Sequence, residues 1–318
     1  MRAYIIRRLL LLIPTLWIVS VIVFLLVRFL PGDVLDLIES QFEAMNMQID
    51  REAFMRMLGL DVPVHVQYGR WMEGILLRGT LGKSLFGDYA VEERILATLP
   101  VTLQLGVISL VIAQVIALPV GIYSAMRQDT AADYAGRTIA VIGLATPNFW
   151  LGIMVMIFPA IWWGWSPPME WVPFAKDPAG NIAMFIIPSL ILGTALSATT
   201  MRMTRTMMLE VLRQDYIRTA WSKGLRERAV VVQHALKNAF IPIVTLIGAQ
   251  LPILVGGSVI MENIFNLPGL GRLTVTALTS RDYPLVSGVN LFFAAAVMLN
   301  NLVIDLVYAF LDPRVRYS

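Results

Sequence analysis

LLLLIPTLWIVSVIVFLLVRFL, Leu9–Leu30, is the stretch that decides what kind of protein this is. At about 1.5 Å per residue it makes roughly 33 Å of helix, enough to cross a hydrocarbon core of about 30 Å. Arg2, Arg7 and Arg8 precede it, as the charged start of a signal peptide would. A cleavable signal has a shorter apolar region and a small-residue cleavage site, whereas this run ends in RFLPGD without an A-x-A pattern. The reading is a retained membrane anchor.

Working outward, five further runs meet the same criterion: Leu99 to Ala125, Thr138 to Trp163, Ile182 to Met201, Ala239 to Met261 and Leu285 to Leu311. The chain is 57% hydrophobic and 15% charged, with a mean hydropathy of +0.70, where soluble domains carry about 25% charged residues. An integral membrane protein follows. With the N-terminus placed in the cytoplasm, the cytoplasmic segments collect 15 basic and 6 acidic residues, and the opposite side 9 basic and 15 acidic. The positive-inside rule therefore predicts both termini inside. A net charge of +3 gives no reason to expect nucleic acid as a partner.

This divides the chain into residues 1–30, the N-terminus and first span; 31–98, an extracytoplasmic segment; and 99–318, a five-helix core with a cytoplasmic loop at 202–239. Within the outer segment, Val64, Tyr68, Trp71, Met72 and Ile75 recur at helical spacing, so a small helical cap is expected there. Small residues step along the spans at Ala113, Ala117, Gly121 and Ala125 and at Ser189, Gly193 and Ser197, the pattern of close helix contacts in lipid. Pro14, Pro119, Pro147, Pro188, Pro242 and Pro252 lie in or at the ends of spans and predict kinks.

Catalytic chemistry has little to work with. There is no cysteine, and the two histidines, His65 and His234, fall on opposite sides of the membrane, so no metal site is expected. GTLGKS, Gly79–Ser84, ends like a phosphate-binding loop but has Leu77 where the first glycine belongs. PGLGRLT, Pro268–Thr274, lacks the third glycine and the preceding strand of a dinucleotide site. Polar groups inside spans are the remaining signal, because they usually face an aqueous path or one another. Gln250, Asn290, Asn300, Asn301 and Asp305 form the candidate translocation path, with Gln104 and Gln114 as further intramembrane polar groups. Interhelical hydrogen bonding stands beside that reading for each of them. Asp305 also leaves open an ion-driven secondary transporter or a membrane-embedded enzyme.

Between the fourth and fifth spans, Arg202–Asn238 carries eight basic and three acidic residues. Gly224 divides it into two helix-like halves. Leu212, Tyr216, Ile217, Ala220 and Trp221 make an apolar stripe in the first half, and Val231, Ala235, Leu236 and Ala239 continue helical spacing in the second. A helix, a sharp turn at a glycine and a helix entering the membrane are predicted. Such a segment could lie on anionic lipid, stay solvated, or dock in a partner's groove.

The stretch YIRTAWSKGLRERAVVVQHALKNAFIPIVT resembles the EAA loop of binding-protein-dependent ABC transporter permeases, in the dipeptide, oligopeptide and nickel importer branch. Aligned on Gly224, Arg218, Thr219 and Ala220 stand at the EAA positions and His234, Ala235, Leu236 and Lys237 at the IxLP positions. Ala220, Gly224 and Leu236 match the general pattern and the rest follow the peptide branch. The resemblance extends to IIRRLLLLIPTLWIVSVIVFLLVRFLPGD, LGLDVPVHVQYGRW, GTLGKS, VEERILATLPVTLQL and ENIFNLPGLGRL.

It implies an all-α integral membrane protein of six transmembrane helices in a bacterial or archaeal plasma membrane, with an outer helical insert and a cytoplasmic coupling helix. It implies an importer for peptides or related small solutes, working with a second homologous permease subunit, two cytoplasmic ATPase subunits and an extracytoplasmic substrate-binding protein. ATP and magnesium would sit on the ATPases, with no cofactor on this chain and no enzyme activity of its own. The loop residues implied to couple to the ATPase are Asp215, Tyr216, Arg218, Thr219, Ala220, Lys223, Gly224, Leu225, His234 and Leu236.

Overall fold

Long apolar runs in a chain that cannot hydrogen-bond to lipid must satisfy their backbones internally, and helices do this within one segment. The computed structural model describes residues 2–29, 35–36, 39, 43, 50–57, 59–168 and 170–311. Among these, regular structure is helical apart from one isolated bridge between Lys83 and Ala90. Most of the predicted stretch from Pro31 to residue 49, and the basic residues Arg314 and Arg316, lie outside the described residues.

The helices are α1 (Arg2–Arg28), α2 (Arg51–Met57), α3 (Val64–Glu73), α4 (Val91–Met126), α5 (Ala131–Ala145), α6 (Asn148–Trp163), α7 (Pro178–Leu212), α8 (Asp215–Ser222), α9 (Glu227–Ile264), α10 (Leu270–Ser280) and α11 (Tyr283–Leu311). Two stretches are wound as π-helix, Gly74–Arg78 after α3 and Val230–Leu236 inside α9. Five helices are long and apolar enough to cross a membrane alone: Ile6–Arg28 within α1, then α4, α7, α9 and Tyr283–Val307 within α11.

The predicted run Thr138 to Trp163 is not one rod. It is shared between α5 and α6, which meet at 88° and amount to a sixth span only as a pair. Pro147 is the cause. It disfavours helical backbone at the residue before it, and Thr146 accordingly sits at φ −87°, ψ 120°. Pro147 itself is the N-cap of α6, extended at φ −66°, ψ 131°, and the helix begins at Asn148.

The described chain falls into two compact units, Arg2–Val101 with Pro268–Met298, and Thr102–Leu267 with Leu299–Ser318. In the first, Val27, Val91, Ile95, Leu270, Leu273 and Val289 share one apolar core. The two nucleotide-like motifs are structural here. Gly79 and Gly82 take φ of +66° and +103°, and the GTLGKS turn directs the Ser84 hydroxyl and the Leu85 N–H (3.2 Å) onto the buried carboxylate of Asp282. The motif's N–H groups at Leu81, Gly82 and Ser84 donate to Glu92 Oε2, Thr80 Oγ1 and the Tyr89 carbonyl, so they too serve the protein's own structure. PGLGRLT opens α10 and buries Leu270 and Leu273.

In the second unit, the small-residue stripes meet as the sequence predicts. Ala113, Ala117 and Ala125 of α4 and Ser189 and Ser197 of α7 are all buried. The approach is so close that a Cβ on Gly193 would lie 2.8 Å from the Ser109 carbonyl oxygen, and one on Gly121 2.8 Å from the Met201 carbonyl oxygen. Only glycine permits backbones to touch at these two points. Asp177 caps α7, accepting from the N–H groups of Ala179 and Gly180 at 3.1 Å each, with Pro178 at the first helical position.

Candidate functional site

The site begins at the end of α7. Gln214 breaks the helix with extended backbone, and the chain restarts as α8, an eight-residue helix with a strongly one-sided sequence, DYIRTAWS. Residues three apart share a helix face. Ile217 and Ala220 accordingly point the same way and are buried, against Ala125 at the end of α4, Met208 on α7, and Val230, Val231, Ala235 and Ala239 on α9. The opposite face carries Arg218, Thr219, Ser222 and Lys223, all exposed.

The predicted apolar stripe is thus divided. Ile217 and Ala220 are 0% and 6% exposed, while Tyr216 and Trp221 are 44% and 45% exposed and Leu225 is 38% exposed. One part of the stripe holds α8 to its own chain. The other leaves Tyr216 and Trp221 in the open, joined by Leu225 just past the turn.

Gly224 makes that turn. Its φ is +74°, in the left-handed region where a side chain is strained, and its N–H donates to the Trp221 carbonyl at 2.9 Å. A Cβ there would meet nothing within 4 Å. Backbone conformation alone requires the glycine. Beyond it the chain enters α9 through the π-helical stretch that contains His234 and Leu236. Leu236 packs on the same core as Ile217. Asn238 closes the arrangement, its Nδ2 donating to the Tyr216 hydroxyl at 2.8 Å and to the His234 carbonyl at 3.2 Å. Arg218 reaches Asp215 at 3.1 Å, but with side chains 74% and 94% exposed the pair holds little weight.

Sequence reasoning missed a second fastening close in chain order. Asp133, in the first turn of α5 and 0% exposed, receives Arg205 of α7 in a two-pronged contact, Nε to Oδ1 at 2.8 Å and Nη2 to Oδ2 at 2.7 Å. Parallel N–H groups matched to two carboxylate oxygens are the strong form of such a pair. The signal available in sequence was an arginine placed inside a helix among apolar residues, which demands a partner; that the partner is 72 positions away was not readable.

The candidate path residues differ in what each of them touches. Gln250 is 2% exposed and its Nε2 donates to Thr200 Oγ1 at 2.9 Å and the Leu196 carbonyl at 3.3 Å, which ties α9 to α7. Asn300 donates to the Gly248 carbonyl at 3.2 Å, tying α11 to α9. Asn290 donates to Val286 of its own helix at 2.8 Å. Asn301 is exposed and Asp305 half-buried on α11. Gln104 bonds the Asn181 side chain, linking α4 to α7. Gln114 has neither side-chain nitrogen nor oxygen paired among the described residues.

Comparison with known proteins agrees over the whole chain. Residues 117–317 match the family described as binding-protein-dependent transport system inner membrane component, and residues 1–106 match its N-terminal companion. The oligopeptide transport system permease protein AppB of Bacillus subtilis is 39% identical, with both chains covered completely. The glutathione transport system permease protein GsiC of Salmonella paratyphi A is 40% identical, with 99% of each chain covered. Among solved structures, the MetNI methionine ABC transporter in an inward-facing conformation aligns with a TM-score of 0.55 at 20% identity, over 69% of this chain and 97% of that one. At that identity the likeness speaks for the fold.

Proposed function

The chain belongs to the binding-protein-dependent transport system inner membrane components, as a permease subunit of an ABC importer, and on that premise we propose how it is coupled and what it carries. α8 is the coupling helix. It docks through Tyr216, Trp221 and Leu225 into a groove of a cytoplasmic ATPase, with Arg218 and Lys223 at the rim of that contact. Two such ATPases bind ATP and magnesium, and this chain hydrolyses nothing itself. A second permease subunit completes the pore, both termini lie in the cytoplasm, and an extracytoplasmic binding protein delivers the solute to the 31–98 side.

The observation that carries this reading is the divided stripe. A solvated loop needs no apolar side chains in the open, and a loop lying wholly on its own protein would bury them. α8 does both, and its buried half touches the ends of α4, α7 and α9 at once. Movement imposed on α8 by closure of the ATPases is therefore passed to three helices through one shared core. ATP favours the closed ATPase dimer, and the contact converts that preference into a bias on the helix bundle.

The cargo is a short peptide, with glutathione and oligopeptides as the two chemistries that the named relatives handle. The test is the complete importer reconstituted in vesicles, with the double variant Trp221→Ala, Leu225→Ala. Substrate-stimulated ATP hydrolysis and uptake are expected to fall together while thermal unfolding of the membrane subunit stays unchanged. Uptake at the unaltered rate would overturn the role of α8. Competition between labelled glutathione and a series of unlabelled peptides assigns the cargo; no displacement by any of them would overturn the peptide class.

A further inference from the structure

Arg28, the last residue of α1, is packed against neutral partners among the described residues. Its Nε and Nη2 donate to the Gln67 side-chain oxygen at 3.1 and 2.7 Å, its Nη1 donates to the Phe24 carbonyl at 3.2 Å, and its guanidinium carbon lies 3.5 Å from the centre of the Phe24 ring. These contacts occupy three of the five N–H groups a guanidinium carries. Among the described residues no acidic side chain forms an ion pair with it. Neutral acceptors orient the cation, and among the described residues no carboxylate pairs with it.

The remaining face of Arg28 borders a cavity of about 200 Å³, within the unit of Arg2–Val101 and Pro268–Met298. Arg70 lines the same cavity, so it presents two cations, and no Asp or Glu is among its described lining residues. Its other walls are mostly apolar or aromatic, Trp71, Tyr283 and Pro284 among them, with Gln67 and Ser287 as neutral polar groups. The floor is rigid: Phe24 stacks on Trp71 at 5.5 Å and meets Tyr68 edge-on at 5.2 Å, and Ser20 and the Tyr68 hydroxyl are hydrogen-bonded at 2.9 Å. A partly desolvated positive site of this kind is relieved by an anion.

Three observations specify the anion. The cavity lies at the end of the apolar run, where a helix leaves hydrocarbon for the headgroup layer, and tryptophan and tyrosine are enriched at that level. On the face turned away from Phe24 and Arg28, α1 exposes Ile22, Leu26 and Phe29 at 49%, 61% and 78%, an apolar surface that suits hydrocarbon at the level of the cavity. The volume falls below the roughly 300 Å³ at which pockets for drug-sized solutes begin, and suits a headgroup. We propose that this cavity is a phosphate site for a membrane phospholipid, with Arg28 and Arg70 donating to the phosphate oxygens and Trp71 and Tyr283 flanking the glycerol.

The site is independent of the coupling role of α8, and its test does not require transport. The full chain is purified from vesicles of phosphatidylcholine doped with phosphatidylglycerol, and retained phosphatidylglycerol is measured by native mass spectrometry. Arg28→Gln is expected to lower the retained lipid roughly tenfold, as loss of a charged hydrogen-bond donor should, Arg70→Gln to lower it less, and Arg78→Gln, outside the cavity, to leave it unchanged. Short-chain phosphatidylglycerol should displace the bound lipid, and inorganic phosphate at the same concentration should not. Displacement by both alike would overturn the lipid assignment in favour of free phosphate. Equal retention by wild type, Arg28→Gln and Arg70→Gln would overturn the site; should Arg28→Gln fail to fold, the exposed Arg70 variant alone carries the comparison.

Discussion

The α4–α7 seam and α8 lie in the same unit and are held in opposite ways. Along the seam, backbones touch at Gly121 and Gly193, and an ion pair buried on its carboxylate side fastens α5 to α7. α8 is held by two inward side chains, Ile217 and Ala220, and by one side-chain hydrogen bond from Asn238 to Tyr216. Close-packed helices that interlock have few alternative arrangements, whereas an eight-residue helix on two apolar contacts can tilt or lift at low cost. On the coupling role proposed for α8, the difference suits a transmission: a stiff body that moves as one piece, and a small adjustable contact for a partner to grip.

The comparison breaks first at the ion pair. Arg205→Ala leaves the Asp133 carboxylate without its counter-charge, and a loss of about 2 to 3 kcal/mol is expected, below that of a deeply buried pair because Arg205 is itself 17% exposed and its removal admits water to the carboxylate. Thermal unfolding of the purified chain should show it as the largest drop of any variant named here. A wild-type melting profile would mean that α5 and α7 are held by apolar contact alone. Next comes Gly193→Ala, whose added Cβ meets the Ser109 carbonyl at 2.8 Å and Ile112 at 2.9 Å. Overpacking a tight contact costs about 1 to 3 kcal/mol. If that variant unfolds like wild type, the seam yields more easily than its distances say.

On the other side of the comparison, Ile217→Ala should loosen α8 by about 2 kcal/mol, the low end for an isoleucine truncated in a core, because the site is close to the surface and can collapse. Hydrogen exchange across residues 215–222 should quicken while α4 and α7 keep their protection. Uniform quickening across all three helices would show that α8 is part of the stiff body after all.

How much of this was legible depends on distance along the chain. The helix, glycine turn and helix around Gly224 are local, and the spacing of Ile217, Ala220 and Trp221 showed them. The stripes at Ala113–Ala125 and Ser189–Ser197 were legible too, because small residues at four-residue steps have few other uses in lipid. What could not be read was the division of the α8 stripe. Ile217 and Trp221 are both apolar, and which of them turns inward is decided by Val230 and Met208, on other helices. Pro147 announced a break in the span without stating its angle. Gln250 and Asn300 illustrate the same limit: an amide that bonds another helix and one that lines water look identical in sequence, and only the partners Thr200 and Gly248 tell them apart.

The smallest effect is the most discriminating. Gly224 takes φ +74° with nothing within 4 Å of a Cβ, so Gly224→Ala introduces backbone strain of about 1 kcal/mol and no clash. A bulky residue there would add only the same strain, since the space is open. The expectation is a variant whose unfolding temperature barely moves, because α8 contributes little to the whole, but which, in the reconstituted importer, leaves ATP hydrolysis by the partner subunits less responsive to substrate, because the turn sets the direction in which Trp221 and Leu225 point. If Gly224→Ala and Gly224→Asn are compared, asparagine tolerates the left-handed region better and should restore part of the response. Equal loss in both would mean that the turn's side, and not its backbone conformation, is what the partner senses. The stiff seam has no counterpart to this test, since at Gly193 any side chain collides and the identity of the substituent matters less than its presence.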